Sequence, residues 1–270
     1  MSLARTTWIS GPVLRARPEG SFVLREAVRV GPEGLLGEVI RLAREEIVVQ
    51  VYEDTSGLRP GVEVQGSGRP LSVNLGPGLL GRIFDGLLRP ISDLSDGPFV
   101  RPGLEEAAPE AFLFRPGVAV GETLGPGAVV GSVENGDGTS QRCLVSPALP
   151  GGEVVEVAGE GRYPEDTPLC RLRDAQGAEH EVAMRHAWPV RVPRPVAARL
   201  PSDEPMLTGQ RILDSLFPVA RGGTASIPGG FGTGKTVLLE TVAKWCNADI
   251  IVYVGCGERG NEMAEVLTDF

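Results

Sequence analysis

The sequence predicts a multidomain chain: a small N-terminal β-barrel, a second β-rich module, and the start of an α/β domain built around a glycine-rich loop. Three observations predict it. Short alternating or apolar runs, separated by Gly and Pro, fill the first two thirds of the chain. Five prolines (Pro189, Pro193, Pro195, Pro201 and Pro205) mark a stiff, extended connector. Beyond Met206 a short strand, a glycine-rich loop, a helix and an uninterrupted apolar run follow in that order.

Residues 1–70 read as the barrel. Residues 38–42 and 46–52 carry the β-branched, alternating pattern of strands, and Ser56-Gly57 and Arg59-Pro60-Gly61 are turn signals. A closed barrel is the natural solution for short strands, because it removes exposed edges. Residues 71–110 change character. Leu79, Leu80, Ile83, Phe84, Leu87 and Leu88 repeat at helical spacing, which predicts a helix over 79–88 that Pro90 ends, and residues 93–109 read as loop. Residues 111–187 are β-rich again, an inserted module with strands expected at 118–120, 128–133, 152–157 and 180–184. Asn135-Gly136 and Asp137-Gly138 are its strongest turn signals.

Residues 188–270 hold the connector and the first part of the α/β domain. Helices are expected at 211–216 and 236–246, the second with Val237, Leu238, Thr241, Val242 and Trp245 on one face. A strand is expected at 224–227. The run 250–254 has the composition of a strand buried in a parallel sheet, and Asn261 is placed to cap a helix that runs to residue 270.

Composition narrows the function classes. The chain has 270 residues and 41% apolar content, enough for a sizeable core. Its net charge is −9 and its pI about 4.9, which argues against a nucleic-acid partner, since phosphate contacts need clustered Lys and Arg. Cys143, Cys170, Cys246 and Cys256 form no CxxC pair and no metal-ligand spacing, so reduced structural thiols are expected, with a Cys143–Cys170 bridge the minor alternative. Residues 1–9 hold no long apolar run, and no stretch is long and apolar enough to span a bilayer. These features fit a cytoplasmic protein that reaches a membrane only through partners.

The chemistry concentrates in Gly229, Gly230, Phe231, Gly232, Thr233, Gly234, Lys235 and Thr236, a complete G-x-x-x-x-G-K-[ST] motif. Glycines let successive backbone N–H groups curl around phosphate oxygens, and the following helix adds its positive end. Lys235 supplies a point charge to the β- and γ-phosphates, and the Thr236 hydroxyl a ligand to Mg²⁺. The chain has only two lysines, Lys235 and Lys244, so roughly 0.004 chance matches are expected. A second feature is the Gly255–Gly260 stretch directly after the apolar run. Ligands of open α/β sheets sit at strand C-termini, where Glu258 is placed to orient an attacking water and Arg259 to fix the loop or reach a neighbouring site. The alternative is a solvated loop ion pair. His180 and His186 are too isolated for a metal pair, and Trp8, Trp188 and Trp245 read as packing anchors.

At these residues a family becomes visible. The chain resembles the catalytic subunit (the alpha chain) of V/A-type rotary ATPases and ATP synthases through Val51-Tyr-Glu-Asp-Thr-Ser-Gly57, Leu75-Gly-Pro-Gly-Leu-Leu-Gly81, Phe84-Asp-Gly86, Trp188-Pro-Val190, Leu207-Thr-Gly-Gln-Arg211, Leu216-Phe-Pro218 and residues 255–262. Residues 111–187 look like the family's bulge insert, which F-type catalytic subunits lack. The resemblance implies a RecA-like nucleotide domain binding ATP or ADP with Mg²⁺, Glu258 as the water-polarising glutamate, and ATP hydrolysis or synthesis coupled to proton or sodium movement. It implies alternation with non-catalytic B subunits in a hexamer, a central stalk, and a peripheral stalk reached through the bulge. Gly230 stands where the family usually has proline, which implies a looser loop. Thr233 stands where eukaryotic relatives carry cysteine, so their redox switch is not expected. The Walker B strand, the adenine pocket and the C-terminal helical domain would lie beyond Phe270, so the chain is expected to be a fragment with weak or no turnover alone. A non-catalytic assembly module is the competing reading, and a ring motor on nucleic acid a third.

Overall fold

Short strands with alternating burial close on themselves in the first 70 residues of the computed structural model, which describes residues 2–91, 103, 110–134, 138–230 and 232–257. The strands are β1 (Leu3–Ser10), β2 (Val13–Pro18), β3 (Glu26–Val30), β4 (Leu35–Leu42), β5 (Ile47–Val51) and β6 (Glu63–Pro70). They form a closed antiparallel barrel in the order β1-β2-β5-β4-β3-β6, with β6 returning to β1 in the register Ala4↔Val64. Period two decides the facing: Ile47, Val49 and Val51 point into the core while Val48 and Gln50 are only half-buried. Two carboxylates are buried in this apolar barrel and both are satisfied, as burial requires. Glu26 accepts the Val23 and Gly68 N–H groups, each at 2.8 Å. A Cβ on Gly66 would lie 2.4 Å from the Glu26 carboxylate, so only glycine fits there.

Glu38 is the second. Its carboxylate takes a two-pronged ion pair from Arg191 (Nε 2.9 Å, Nη2 2.7 Å) and a 2.5 Å hydrogen bond from the Tyr52 hydroxyl. Arg191 holds the Glu38 carboxyl below its ordinary pKa of 4.5, against the opposing pull of burial. Burial and the Glu38 carboxylate raise the Tyr52 hydroxyl. A carboxyl with a depressed folded pKa contributes stability that is full above about pH 4.5 and is lost as pH falls through the folded value. Arg191→Ala is therefore expected to lower stability most at about pH 8, where it leaves the buried Glu38 carboxylate charged without its partner, with a loss that shrinks as pH falls below about 4.5. Urea unfolding followed by circular dichroism at about pH 8 and about pH 3 checks this, and an equal loss at both would sink it.

The helix expected over 79–88 does not form. Strand β7 (Ser72–Leu75) is followed by a single 3₁₀ turn at Pro77–Leu79 and then by an Asp85-centred loop. The Asp85 Oδ1 accepts the Leu87 and Arg89 N–H groups, each at 2.9 Å, and Oδ2 receives the Arg89 Nε at 2.7 Å. Such local side-chain bonds compete with helical pairing, and Leu88 adopts φ 60, outside any right-handed helix. Arg89 also donates to Glu53 (2.7 Å) and to the Gly103 carbonyl (3.1 Å). The remaining residues of the expected 93–109 loop lie outside those described.

The inserted module is two stacked four-stranded antiparallel sheets. Its strands are β8 (Ala111–Pro116), β9 (Thr123–Leu124), β10 (Val129–Glu134), β11 (Ser140–Leu144), β12 (Gly152–Val157), β13 (Gly161–Pro164), β14 (Cys170–Arg173) and β15 (Glu179–Val182). The sheet orders are β11-β10-β8-β13 and β15-β14-β12-β9, with Phe114, Val130, Val154, Leu169 and Leu172 in the core between them. The strand expected at 118–120 is a turn instead. Glu122 accepts the Ala119 N–H at 2.9 Å, and Val120 is exposed. The Asn135-Gly136 and Asp137 turn signals fall outside the described residues.

Strand β16 (His186–Pro189) pairs with β7 in the register Trp188↔Val73. Trp188 is buried, donates its Nε1–H to the Val192 carbonyl at 2.7 Å, and lies under the Arg194 guanidinium at 4.7 Å. His186 accepts from Arg194 at 2.9 Å, and burial together with that charge lowers its pKa. Trp8, expected as a packing anchor, is instead on the surface beneath Arg15.

Contacts divide the chain into two units, Met1–Pro195 and Val196–Phe270. The second contains β17 (Pro205–Met206), α1 (Arg211–Leu216), β18 (Val219–Ala220) and α2 (Lys235–Trp245). Strands β17 and β18 pair antiparallel. Residues 224–227 and 250–254, expected as strands, have no ladder partner among the described residues. The run's Ile250, Ile251, Val252 and Val254 are exposed, as are Val237 and Trp245 of α2, which correspond to an expected apolar face. A parallel strand gains its hydrogen bonds only from neighbours distant in sequence, so the composition of 250–254 cannot build it locally.

All four cysteines are free. Burial pushes the Cys143 thiol up to about 12 and raises that of Cys170, while Cys256 is exposed and Cys246 partly so. Timed labelling with a maleimide at pH 7 is expected to modify Cys256 first, Cys246 next, and Cys143 and Cys170 only in denaturant. Fast reaction at Cys143 in the native chain would contradict the structure.

Candidate functional site: the glycine loop at the start of helix α2

The loop 229–236 reaches α2 through two left-handed glycines. Gly232 has φ 76 and Gly234, at the helix N-cap, φ 80. Side chains rarely tolerate such angles, so glycine is needed at both. Gly229 is constrained by space instead, because an added Cβ would lie 2.6 Å from the Thr233 hydroxyl. Gly230 has neither constraint: its φ is not left-handed and nothing lies within 4 Å of an added Cβ. Phe231 lies outside the described residues.

Side chains of the motif fold onto the loop itself. The Thr233 hydroxyl donates to the Gly230 carbonyl at 2.9 Å. The Lys235 ammonium donates to the same carbonyl at 2.9 Å and also to that of Gly229. Lys235 and Thr236 are half-buried, while Gly229, Gly230 and the Gly232–Gly234 stretch are exposed. A helix of this length leaves its first N–H groups without intrahelical partners and carries a partial positive charge at that end. The first turn of α2 has no acidic residue to compete for those groups, and Lys244 in the last turn complements the opposite pole. Exposed N–H groups, a lysine, a hydroxyl and glycines that keep Cβ atoms out of the bend together fit a chain of phosphates with a divalent cation.

The far end of α2 is tied to a frame that sequence reasoning did not find. The Asn247 N–H donates to the Leu207 carbonyl at 3.0 Å, and the Leu207 N–H donates to the Asn247 side chain at 3.1 Å. Next to this clasp, Thr208 is buried and bonds Asp214 through both its hydroxyl (2.7 Å) and its N–H (2.9 Å), which lowers the Asp214 pKa. The only sequence signal was a Thr-Gly turn ahead of a helix with an Asp in its first turn.

Gly255, Cys256 and Gly257 form an exposed turn, with Gly257 at φ 73. Glu258, Arg259 and the Asn261 cap fall outside the described residues. His180 bonds Asp174 at 2.8 Å as part of the β14–β15 hairpin, and no group of metal-binding residues occurs among the described residues. No described helix is long and apolar enough to cross a membrane.

Barrel, stacked sheets and glycine loop define a P-loop nucleotide-binding protein with an N-terminal β-barrel. Family comparison narrows this. Residues 7–68 match the ATP synthase alpha/beta family β-barrel domain, 106–191 the barrel-sandwich domain of the same subunits, and 209–270 the family's nucleotide-binding domain. The chain belongs to the ATP synthase alpha/beta family. It is 47% identical over 267 residues to an A-type ATP synthase subunit of Methanopyrus kandleri, covering 97% of this chain and 45% of the relative. It is 45% identical over 268 residues to the V-type ATP synthase alpha chain of Halothermothrix orenii, covering 97% and 45%. The chain thus spans about half the length of the curated relatives it matches. Among solved structures, the assembled ATPase EscN of the enteropathogenic E. coli type III secretion system shares the fold at TM-score 0.57 and 21% identity, covering 98% of this chain and 44% of that one.

Proposed function

We propose that this chain provides the barrel, the insert and the phosphate-binding loop of the catalytic subunit of a V/A-type rotary ATPase, which hydrolyses or makes ATP in step with proton or sodium movement across a membrane. The single observation that carries the reading is the loop 229–236 running through two left-handed glycines into α2, within a chain whose three matched segments belong to that family.

In this reading backbone N–H groups from Gly229 to Thr236 hold the phosphates. Lys235 leaves the Gly229 and Gly230 carbonyls to neutralise the β- and γ-phosphates. The Thr236 hydroxyl would hold Mg²⁺, which neutralises developing charge on the phosphoryl oxygens. Glu258 orients the attacking water, and Arg259 fixes the loop that carries it. Catalysis is then positioning plus charge stabilisation. B subunits, a central stalk and a peripheral stalk docked on the insert complete the assembly, and contact with the membrane runs through the ion-translocating sector.

Calorimetric titration of Mg-ATP into the 270-residue chain tests this, with saturation at one site per chain expected. Absence of any heat would sink the reading for the chain as it stands. One observation favours a second reading, an assembly module: barrel and insert have buried cores, whereas α2 buries none of its residues. Native mass spectrometry with a B-type subunit separates the two, since association without nucleotide uptake supports the module alone.

A further inference from the structure

The Gly230 carbonyl receives two donors from within the loop, the Thr233 hydroxyl and the Lys235 ammonium, both at 2.9 Å. They are not equivalent. Lys235 is the group that must depart when phosphates arrive, if the nucleotide reading above holds. Thr233 sits between the left-handed Gly232 and Gly234, and its hydroxyl packs against Gly229 closely enough to exclude a Cβ there. It therefore spans the bend from both sides and has no reason to leave. Gly230 itself adds no stiffness, since glycine is the residue with the largest backbone freedom to lose.

We propose that the Thr233 side chain is a positioning residue: its hydroxyl tethers the Gly230 carbonyl, keeping the phosphate-binding bend formed after Lys235 swings to the ligand. The tether offsets the freedom that Gly230 introduces. It turns the Gly230 carbonyl oxygen, a group that would repel phosphate, towards a donor of the loop itself. It touches neither phosphate nor metal.

The test compares Thr233→Val, which keeps the shape without the hydroxyl, with Thr233→Ser, which keeps the hydroxyl. Hydrogen exchange of peptides covering 229–236 is measured without ligand, and Mg-ADP affinity by calorimetry. One lost hydrogen bond predicts about fivefold faster exchange and about fivefold weaker binding for Thr233→Val, with Thr233→Ser recovering most of both. The same Val substitution in a Lys235→Ala background should speed exchange by more than the two single changes combined, because both donors to one carbonyl are then gone. Wild-type exchange and affinity in Thr233→Val would overturn the proposal. Failure of the unsubstituted chain to bind Mg-ADP would count against the nucleotide reading, while the exchange data would still decide the role of Thr233.

Discussion

Lys235→Ala is expected to abolish measurable Mg-ATP binding, with affinity falling at least about a hundredfold. The substitution removes one of only two lysines in the chain. A charge-assisted hydrogen bond to phosphate contributes about 1.5–3 kcal/mol, and the ammonium can serve more than one phosphate oxygen. In the ligand-free loop Lys235 satisfies carbonyls of Gly229 and Gly230 that are solvent-accessible, so its loss costs the fold little. The effect should therefore fall on binding, leaving the thermal unfolding curve within error. Calorimetry and differential scanning fluorimetry on the same samples distinguish the two. Retained binding within threefold of the unsubstituted chain would remove Lys235 from the phosphate site.

Phe114→Ala should cause the largest loss of stability. Phe114 is fully buried on β8, the second strand in from one edge of its sheet, and faces the core shared by both sheets of the insert. Gly131 on the neighbouring β10 accommodates the ring, since a Cβ there would sit 2.6 Å from it. Truncation leaves a cavity in a close-packed interior and costs about 3–5 kcal/mol. For a unit of this size that lowers the melting temperature by about 10 °C. Phe114→Leu should cost less than half as much. A loss below about 1 kcal/mol for the alanine variant, measured by urea unfolding, would mean that the ring is not the keystone of that core.

Local chemistry was legible in the sequence wherever it sufficed to form the element. Strand 152–157 and helix 211–216 carry their observed bounds in the sequence, and α2 does so within one residue, because periodicity and turn residues specify them from within. Residues 79–88 mislead for a related reason. Their apolar spacing matches a helix, but Asp85 satisfies two N–H groups with its own side chain, and that competition is invisible to a hydrophobicity pattern. The strands expected at 224–227 and 250–254 depend on neighbours far away in sequence, which composition does not supply. At the candidate site the motif exposed the loop at once. The clasp between Asn247 and Leu207 and the Thr208–Asp214 pair stayed hidden, because ordinary polar residues acquire meaning only when folding brings them together.

The closure of β6 on β1 has a consequence for how the molecule is made. Leu3 pairs with Gln65, so the barrel cannot complete until some 60 residues of intervening chain are present, yet all six of its strands end by Pro70, and the Arg191 partner of Glu38 arrives later. At about 5–20 residues per second, the roughly 160 residues between Pro70 and the glycine loop take about 8–32 s to synthesise. Small β-topologies of this kind fold within milliseconds to seconds. On the ribosome, then, the strand ladder has time to close before the glycine loop has been translated, and a nascent chain stalled near residue 120 should already resist protease over its first 70 residues.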